Sequence, residues 1–389
     1  MKYKKIGEVC SSVKRSVKPQ KDTVYTLFSL PAFDANKTPE ITTGDDIKSN
    51  KLGVEDNLIL FNKLNVHYRR VWNIKHLVSS NNICSTEFIP LRANDCIDQD
   101  YLYYCLISDD VTNAMHASRK GTSVSQQRID ESILFAHEIP VPEMDNQKRI
   151  ASLLRSLDDK IAINKQINDN LLQQCTALYD EICLSAVFAL MSDLISVVET
   201  GSRPKGGAQA SGIPSIGAEK IEKFGSYDYS GEKFISENYF ATLKRGIIAS
   251  GDVLLYKDGA YTGKSSMALD GFPHERCAVN EHVFIIRTAN KKYQCFLYFT
   301  LQNDDIHKKI YSLACGKAAQ PGLNQSELLS VLIKLPSEET LGGFEKQVSP
   351  LMHRIALNAL ESKRLADLRD ALLPKLMSGE IDVSSVEID

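Results

Sequence analysis

Residues 138–183 read EIPVPEMDNQKRIASLLRSLDDKIAINKQINDNLLQQCTALYDEIC, and this stretch decides the fold. Pro140 and Pro142 stop any helix before the next one begins, because a residue ahead of proline is pushed out of the α region. From about Asn146 to Cys183 the apolar residues Ile150, Leu153, Leu157, Ile161, Ile167, Leu171, Cys175, Leu178 and Ile182 recur mostly at spacings of three and four. That period is helical and close to a heptad seam. About 35 helical residues span roughly 50 Å, far beyond the usual helix of about 11–12 residues. Such a helix cannot bury its seam inside one small domain and needs a partner of similar length. A second copy begins near Glu345 and uses Val348, Leu351, Ile355, Leu365, Leu368, Leu372 and Leu376, meeting Pro374 and then Gly379. The chain crosses a whole domain between the two, so antiparallel packing is natural.

Working outward, the two halves overlay at an offset near half the chain length. Leu58-Ile59-Leu60-Phe61-Asn62-Lys63 matches Val253-Leu254-Leu255-Tyr256-Lys257-Asp258, and Glu87 to Arg92 falls near Glu281 to Arg287. Tyr101-Leu102-Tyr103-Tyr104 corresponds to Phe296-Leu297-Tyr298-Phe299, Gly121 to Gly316, Ile139-Pro140 to Leu335-Pro336, and Lys160-Ile161-Ala162-Ile163-Asn164 to Arg354-Ile355-Ala356-Leu357-Asn358. Their common order points to a duplication, which must be found before any fold is assigned. Each half runs from short strands rich in Val, Ile, Phe and Tyr, through short helices, to a proline-marked strand and a long helix. The fold class expected is α+β. Two domains occupy 1–144 and 186–344, and two spacer helices occupy 145–185 and 345–389, with pseudo-two-fold symmetry.

A chain of 389 residues suits two domains or more. Its 43% hydrophobic and 24% charged residues are ordinary for a globular protein. No apolar run approaches the ~20 residues that span a bilayer, and no apolar segment follows the charged N-terminus, so neither a membrane nor a secretory destination is expected. Nine scattered cysteines, none spaced Cys-x-x-Cys, suit reduced thiols in a cytoplasm. The net charge of −3 gives no global attraction to nucleic acid, but its placement does. From Asn57 to Thr86 there is no acid, while Lys63, Arg69, Arg70 and Lys75 lie among His67, Tyr68, Trp72 and His76. Such a patch suits phosphates; a solvated basic face is the alternative.

With these features laid out, the chain resembles the type I restriction-modification specificity subunits. The ending Leu368-Arg369-Asp370-Ala371-Leu372-Leu373-Pro374-Lys375-Leu376-Met377-Ser378-Gly379-Glu380-Ile381-Asp382-Val383 is very similar to that family's C-terminal signature. Ile139-Pro140-Val141-Pro142, Gln147-Lys148-Arg149-Ile150-Ala151 and Leu157-Asp158-Asp159-Lys160-Ile161 also resemble it, as do Gly201-Ser202-Arg203-Pro204-Lys205-Gly206-Gly207, Gly251 to Ala260 and Gln320-Pro321-Gly322-Leu323-Asn324. The second lead-in, Leu335-Pro336-Ser337-Glu338-Glu339, is poorer in proline, and the stretch through Ile47 gives little to align. The resemblance implies two target recognition domains, each reading one half of a split, asymmetric sequence in double-stranded DNA. It implies that the helices space the readers and dock two methyltransferase subunits, which restriction subunits join. It also implies that S-adenosylmethionine and ATP sit on those partners and that this chain binds no cofactor.

Long polar side chains on loops are the natural base and phosphate contacts. The candidates are Lys63, Arg69, Arg70, Arg119, Lys120, Ser123, Gln126 and Gln127 in the first domain. In the second they are Arg203, Lys205, Lys257, Tyr261, Lys264, Lys317 and Gln320. For partner docking the spacer helices offer Leu153, Leu157, Ile161, Ile167, Leu171, Ile355, Leu365, Leu368, Leu372 and Leu376. Catalytic and metal-binding residues are not expected: there is no Asn/Asp-Pro-Pro-aromatic tetrad, no Asp…Glu-x-Lys constellation and no His-Glu-x-x-His. Gly259-Ala260-Tyr261-Thr262-Gly263-Lys264-Ser265 imitates a phosphate loop, but it has three residues between its glycines where four are needed. Two rival readings are a protein-interaction scaffold with a helical dimerisation dock and a nucleotide-dependent enzyme.

Overall fold

A computed structural model describes residues 2–35, 37–77, 79–118, 127–316 and 322–384. The chain divides into two compact units, one formed by Met1–Asp159 with Ala366–Asp389 and the other by Lys160–Leu365.

In the first unit a four-stranded antiparallel sheet runs Cys10–Ser12, Phe88–Ala93, Leu58–Asn62, Val71–Ile74. All five residues of Leu58–Asn62 are buried, because both faces of the sheet are covered. Successive side chains point to opposite faces: Ile59 and Phe61 join a core with Tyr101, Leu102 and Leu376, while Leu58 and Leu60 join one with Phe28 and Trp72. A five-stranded mixed sheet lies beside it, ordered Ser16–Val17, Lys51–Gly53, Asn82–Cys84, Val24–Phe28, Glu40–Thr43. Lys2–Lys5 pairs with Glu138–Val141 as a separate ribbon. Asp98 and Ser108 cap the helices Gln99–Ile107 and Asp109–Ala117, each accepting from a first-turn backbone N–H.

The second unit repeats this plan. Its four-stranded sheet is Ile195–Thr200, Val283–Thr288, Val253–Tyr256, Ser265–Met267, and its ribbon joins Val187–Leu190 to Leu332–Leu335. The neighbouring sheet has only three strands, Phe234–Ile235, Ile213–Ile216 and Ala278–Val279. Tyr293, at the N-cap of Gln294–Gln302, gives no side-chain cap. Glu345 from the long helix supplies one instead, its Oε1 accepting the Phe296 N–H at 2.8 Å. Burial pushes the Glu345 carboxyl above its usual range.

Backbone hydrogen bonds correct the register of the duplication. Lys63 donates to Glu87 O and accepts from Ile129 N; Lys257 donates to His282 O and accepts from Leu323 N. Lys63 therefore corresponds to Lys257 and Ile59 to Val253, one residue away from the alignment expected. At the ribbon, Ile139 faces Lys4 and Ile333 faces Ala189, which makes Pro142, rather than Pro140, the counterpart of Pro336. Apolar runs are self-similar, so a shift of one or two residues still lays hydrophobe on hydrophobe. Gly121 lies outside the described residues.

The long helices are Met144–Cys183 and Glu338–Ser378, and they pack antiparallel. In the second unit Asn168 meets Asn358 while Asn164 meets Glu361. In the first unit Arg369 Nη1 donates to Asp158 Oδ1 at 2.6 Å, and the Tyr104 hydroxyl donates to the other oxygen at 2.8 Å. The seam differs in phase from the expected stripe. Ile150, Leu154, Asn164, Asn168, Leu172, Cys175 and Tyr179 are buried, whereas Ile167 is exposed and Leu153, Leu157, Ile161 and Leu171 are half-buried. Counting only apolar residues passed over two asparagines that belong to the interface. On the second helix Ile355 and Leu376 lie fully inside their own units, Leu365 and Leu372 are half-buried, and Leu368 is exposed.

The second helix begins at Glu338, ahead of the expected Glu345, despite Gly342 and Gly343. Ser337 starts it by accepting the Thr340 N–H, and the buried Leu341 and Phe344 hold its first turns on the core. Packing thus outweighs the cost of glycine in a helix, about 1 kcal/mol each. Both glycines face open space, with nothing within 4 Å of an added Cβ. Gly342→Ala with Gly343→Ala is expected to stabilise the unit by about 1–2 kcal/mol, read as a higher melting temperature.

Candidate nucleic-acid interface

The acid-free stretch builds one hairpin of the first unit, with residues 63–70 linking Leu58–Asn62 to Val71–Ile74. Asn62, 2% exposed, shapes the turn by accepting from Leu64 N and donating to Leu64 O. Asn65 and Arg69 adopt left-handed backbone (φ 52° and 47°), with the turn Val66–Tyr68 between them. Of the candidate cations, Arg69 pairs with Asp109 and reaches Ile107 O, and Arg70 makes a two-pronged contact with Asp34, 2.7 Å at each oxygen. The Arg70 guanidinium also lies 4.4 Å from the ring centre of Tyr68, which is 58% exposed. Lys63 is half-buried at the start of the loop, and Gln127 supports it from outside, its carbonyl accepting from Asn65 N.

Arg128 was not among the expected residues, yet it grips Glu87 through Nε (3.0 Å) and Nη2 (2.6 Å) beside the same loop. Its backbone bridge to Leu64 brings it there, a long-range pairing with no local signal.

The second unit has the counterpart. Residues 257–264 link Val253–Tyr256 to Ser265–Met267, so the phosphate-loop imitation ends in a strand where nucleotide binding needs a helix. Gly259 and Gly263 have φ of 125° and 102°, and a Cβ on Gly263 would come within 2.9 Å of the His307 ring. The Thr262 hydroxyl, fully buried, closes the turn on Gly259 O at 2.7 Å. Lys264 Nζ lies 4.6 Å from the ring centre of Tyr261 and 3.5 Å from Glu222. A cavity of about 300 Å³ opens beside this loop, walled by Tyr261, Lys264, His307, Lys308 and Tyr311. Lys257 pairs with Asp258 and Arg203 with Glu281, while Lys205 is exposed next to the open turn at Gly206 and Gly207.

The structure therefore gathers Lys63, Arg69, Arg70 and Gln127 around one loop and Lys257, Tyr261 and Lys264 on its counterpart. Arg119, Lys120, Ser123, Gln126, Lys317 and Gln320 lie outside the described residues. Among the described residues no group of His, Cys, Asp and Glu could hold a metal ion, and no helix is long and apolar enough to cross a membrane. Burial pushes the thiols of Cys10, Cys84, Cys105 and Cys277 up to about 12, which makes them poor nucleophiles.

Residues 1–173 match the family model described as the type I restriction modification DNA specificity domain. A Haemophilus influenzae protein, the type I restriction enzyme HindI specificity subunit, is 22% identical, covering 77% of this chain and 82% of that one. The MjaVIII specificity subunit of Methanocaldococcus jannaschii is 23% identical, covering 78% of this chain and 75% of its own length. The chain is thus similar to that domain over its first 173 residues and to these specificity subunits over about three quarters of its length. The crystal structure of the type I restriction-modification system S subunit from M. genitalium has a similar fold, with a TM-score of 0.57 and 17% identity, covering 97% of this chain and 96% of that one.

Proposed function

We propose that each unit reads one half of a bipartite, asymmetric DNA sequence. The helix pair sets the spacing between the half-sites and docks two methyltransferase subunits, to which restriction subunits add. The observation that carries this reading is the repeated hairpin: one scaffold, fixed by the same backbone hydrogen bonds, presents different loop side chains in each unit. Equal scaffolds with unequal loops suit two readers of two different half-sites. The boundaries expected from sequence, 1–144 and 186–344 for the readers with 145–185 and 345–389 for the spacers, belong to this proposal. So do the loop candidates and a place in the prokaryotic cytoplasm. Base edges would be met by side chains of the two loops, and phosphates by lysines such as Lys63 and Lys205. S-adenosylmethionine and ATP would be held by the partners.

Methylome sequencing of the host with and without this gene tests the reading. The expected result is a two-part methylated motif, with unlike halves and a fixed gap, that disappears on deletion. An unchanged methylome would favour a protein-interaction scaffold instead.

A further inference from the structure

The two hairpin loops share more than their fold. Asn62 N donates to Arg70 O, and Tyr256 N donates to Lys264 O, which makes Arg70 and Lys264 counterparts at the closing end of each loop. Their acidic partners are counterparts as well. Val24–Phe28 runs parallel to Asn82–Cys84 as Ile213–Ile216 runs parallel to Ala278–Val279, with Phe28 facing Cys84 and Ile216 facing Val279. Ser85 N donates to Phe28 O and Asn280 N to Ile216 O, fixing Phe28 on Ile216. Asp34 follows Phe28 at the same separation along the chain as Glu222 follows Ile216. Each unit therefore holds an acid, a cation and a tyrosine in one order: Asp34, Arg70 and Tyr68 in the first, Glu222, Lys264 and Tyr261 in the second.

Acid and cation sit at equivalent positions although their identities changed between the halves, Asp to Glu and Arg to Lys. The tyrosines are one position out of register, yet each lies against its cation and stands more than half exposed, 58% and 62%. We propose that Tyr68 and Tyr261 are the sequence-reading side chains of their units, each placed against the edge of one DNA half-site. The cation beneath each ring is a positioning residue. Its charge is already met by a carboxylate, so it serves to hold the aromatic face rather than to neutralise a phosphate. A ring fixed in this way gives up little conformational freedom on binding and presents both an apolar edge and a hydroxyl to the groove. This inference rests on the half-site reading proposed above.

The test uses the full chain assembled with its methyltransferase subunits and two duplexes, one carrying the motif recovered by methylome sequencing and one of random sequence. Tyr68→Ala and Tyr261→Ala are each expected to cut the preference for the motif duplex at least tenfold. In cells each should relax the methylated motif in one half only, and in opposite halves. Arg70→Met and Lys264→Met should lower the same preference without flattening the dependence of binding on salt, whereas losing a phosphate contact would reduce that slope by about one. Arg70→Lys and Lys264→Arg should restore most of the preference. Wild-type preference in both tyrosine variants, relaxation of the same half by both, or equal loss on both duplexes would overturn the assignment. A wild-type complex with no preference for the motif duplex would overturn the half-site reading and the assignment with it.

Discussion

Gly201→Ala is expected to destabilise the second unit by about 3 kcal/mol, the upper range for forcing atoms into a filled site. At roughly 2–4 °C per kcal/mol for a unit of this size, its melting temperature should fall by roughly 6–12 °C. The backbone of Gly201 follows the strand Ile195–Thr200, where an added Cβ would lie 1.6 Å from Val279 O. Backbone cannot rotate aside as a side-chain tip can, so either this strand end or Ala278–Val279 must move. The opposite side is closed too, since a Cβ on Gly246 would meet Gly201 Cα at 2.4 Å. Val279 donates to Gly246 O and pairs with Ile216, so displacement would reach the strand that leads to Glu222. A circular-dichroism melt of the purified chain checks the loss of stability. A variant melting within a degree of wild type would show that the strand ends yield at little cost.

The duplication, the long helices and their antiparallel sense were legible because they rest on period and order, which survive errors of one or two residues. Register was not legible. Leu58-Ile59-Leu60 and Val253-Leu254-Leu255 can slide past each other without penalty in any pattern of hydrophobicity, and only the hydrogen bonds of Lys63 and Lys257 separate the alternatives. The N-terminal strands escaped for another reason. Val24–Phe28 and Ile213–Ile216 are short, unlike in sequence and recognisable as counterparts only through their parallel partners.

At the candidate interface, the stretch without acids builds one hairpin loop, which carries Arg69, Arg70 and Tyr68. What composition could not show is that the acids return through space. Asp34 and Asp109 lie far from the loop along the chain, and each takes an arginine that looks uncompensated in the sequence. Tyr68 was visible only as a neighbour of basic residues; its relation to Arg70 needed coordinates. Arg128 had no local signal at all.

The asparagines of the helix pair lead to the second large effect. Asn168→Ala or Asn358→Ala alone should cost about 2 kcal/mol, because each leaves a buried amide group of the other without its partner. The two residues are 6% and 2% exposed. Asn358 Nδ2 donates to Asn168 Oδ1 at 2.9 Å, and Asn168 Nδ2 donates to Ile355 O at 3.1 Å. Asn164 lies as far beyond Met144 as Asn358 lies beyond Glu338, and Asn168 corresponds in the same way to Ser362. Asn164 Nδ2 approaches Ser362 Oγ at 3.4 Å, so the two contacts exchange under the repeat. Replacing both members, Asn168→Leu with Asn358→Leu, removes the polar groups together and should recover most of the lost stability. The cycle formed by Asn168→Leu, Asn358→Leu and their combination should then show a coupling of at least about 1 kcal/mol. A polar pair within an apolar seam specifies register more than it stabilises. The double variant is therefore expected to melt near the wild-type temperature, and on the spacing role proposed above the methyltransferase complex built on it should modify motifs with more than one gap length. Additive single effects, or one unchanged gap in the double variant, would mean that the register is held by other residues of the seam.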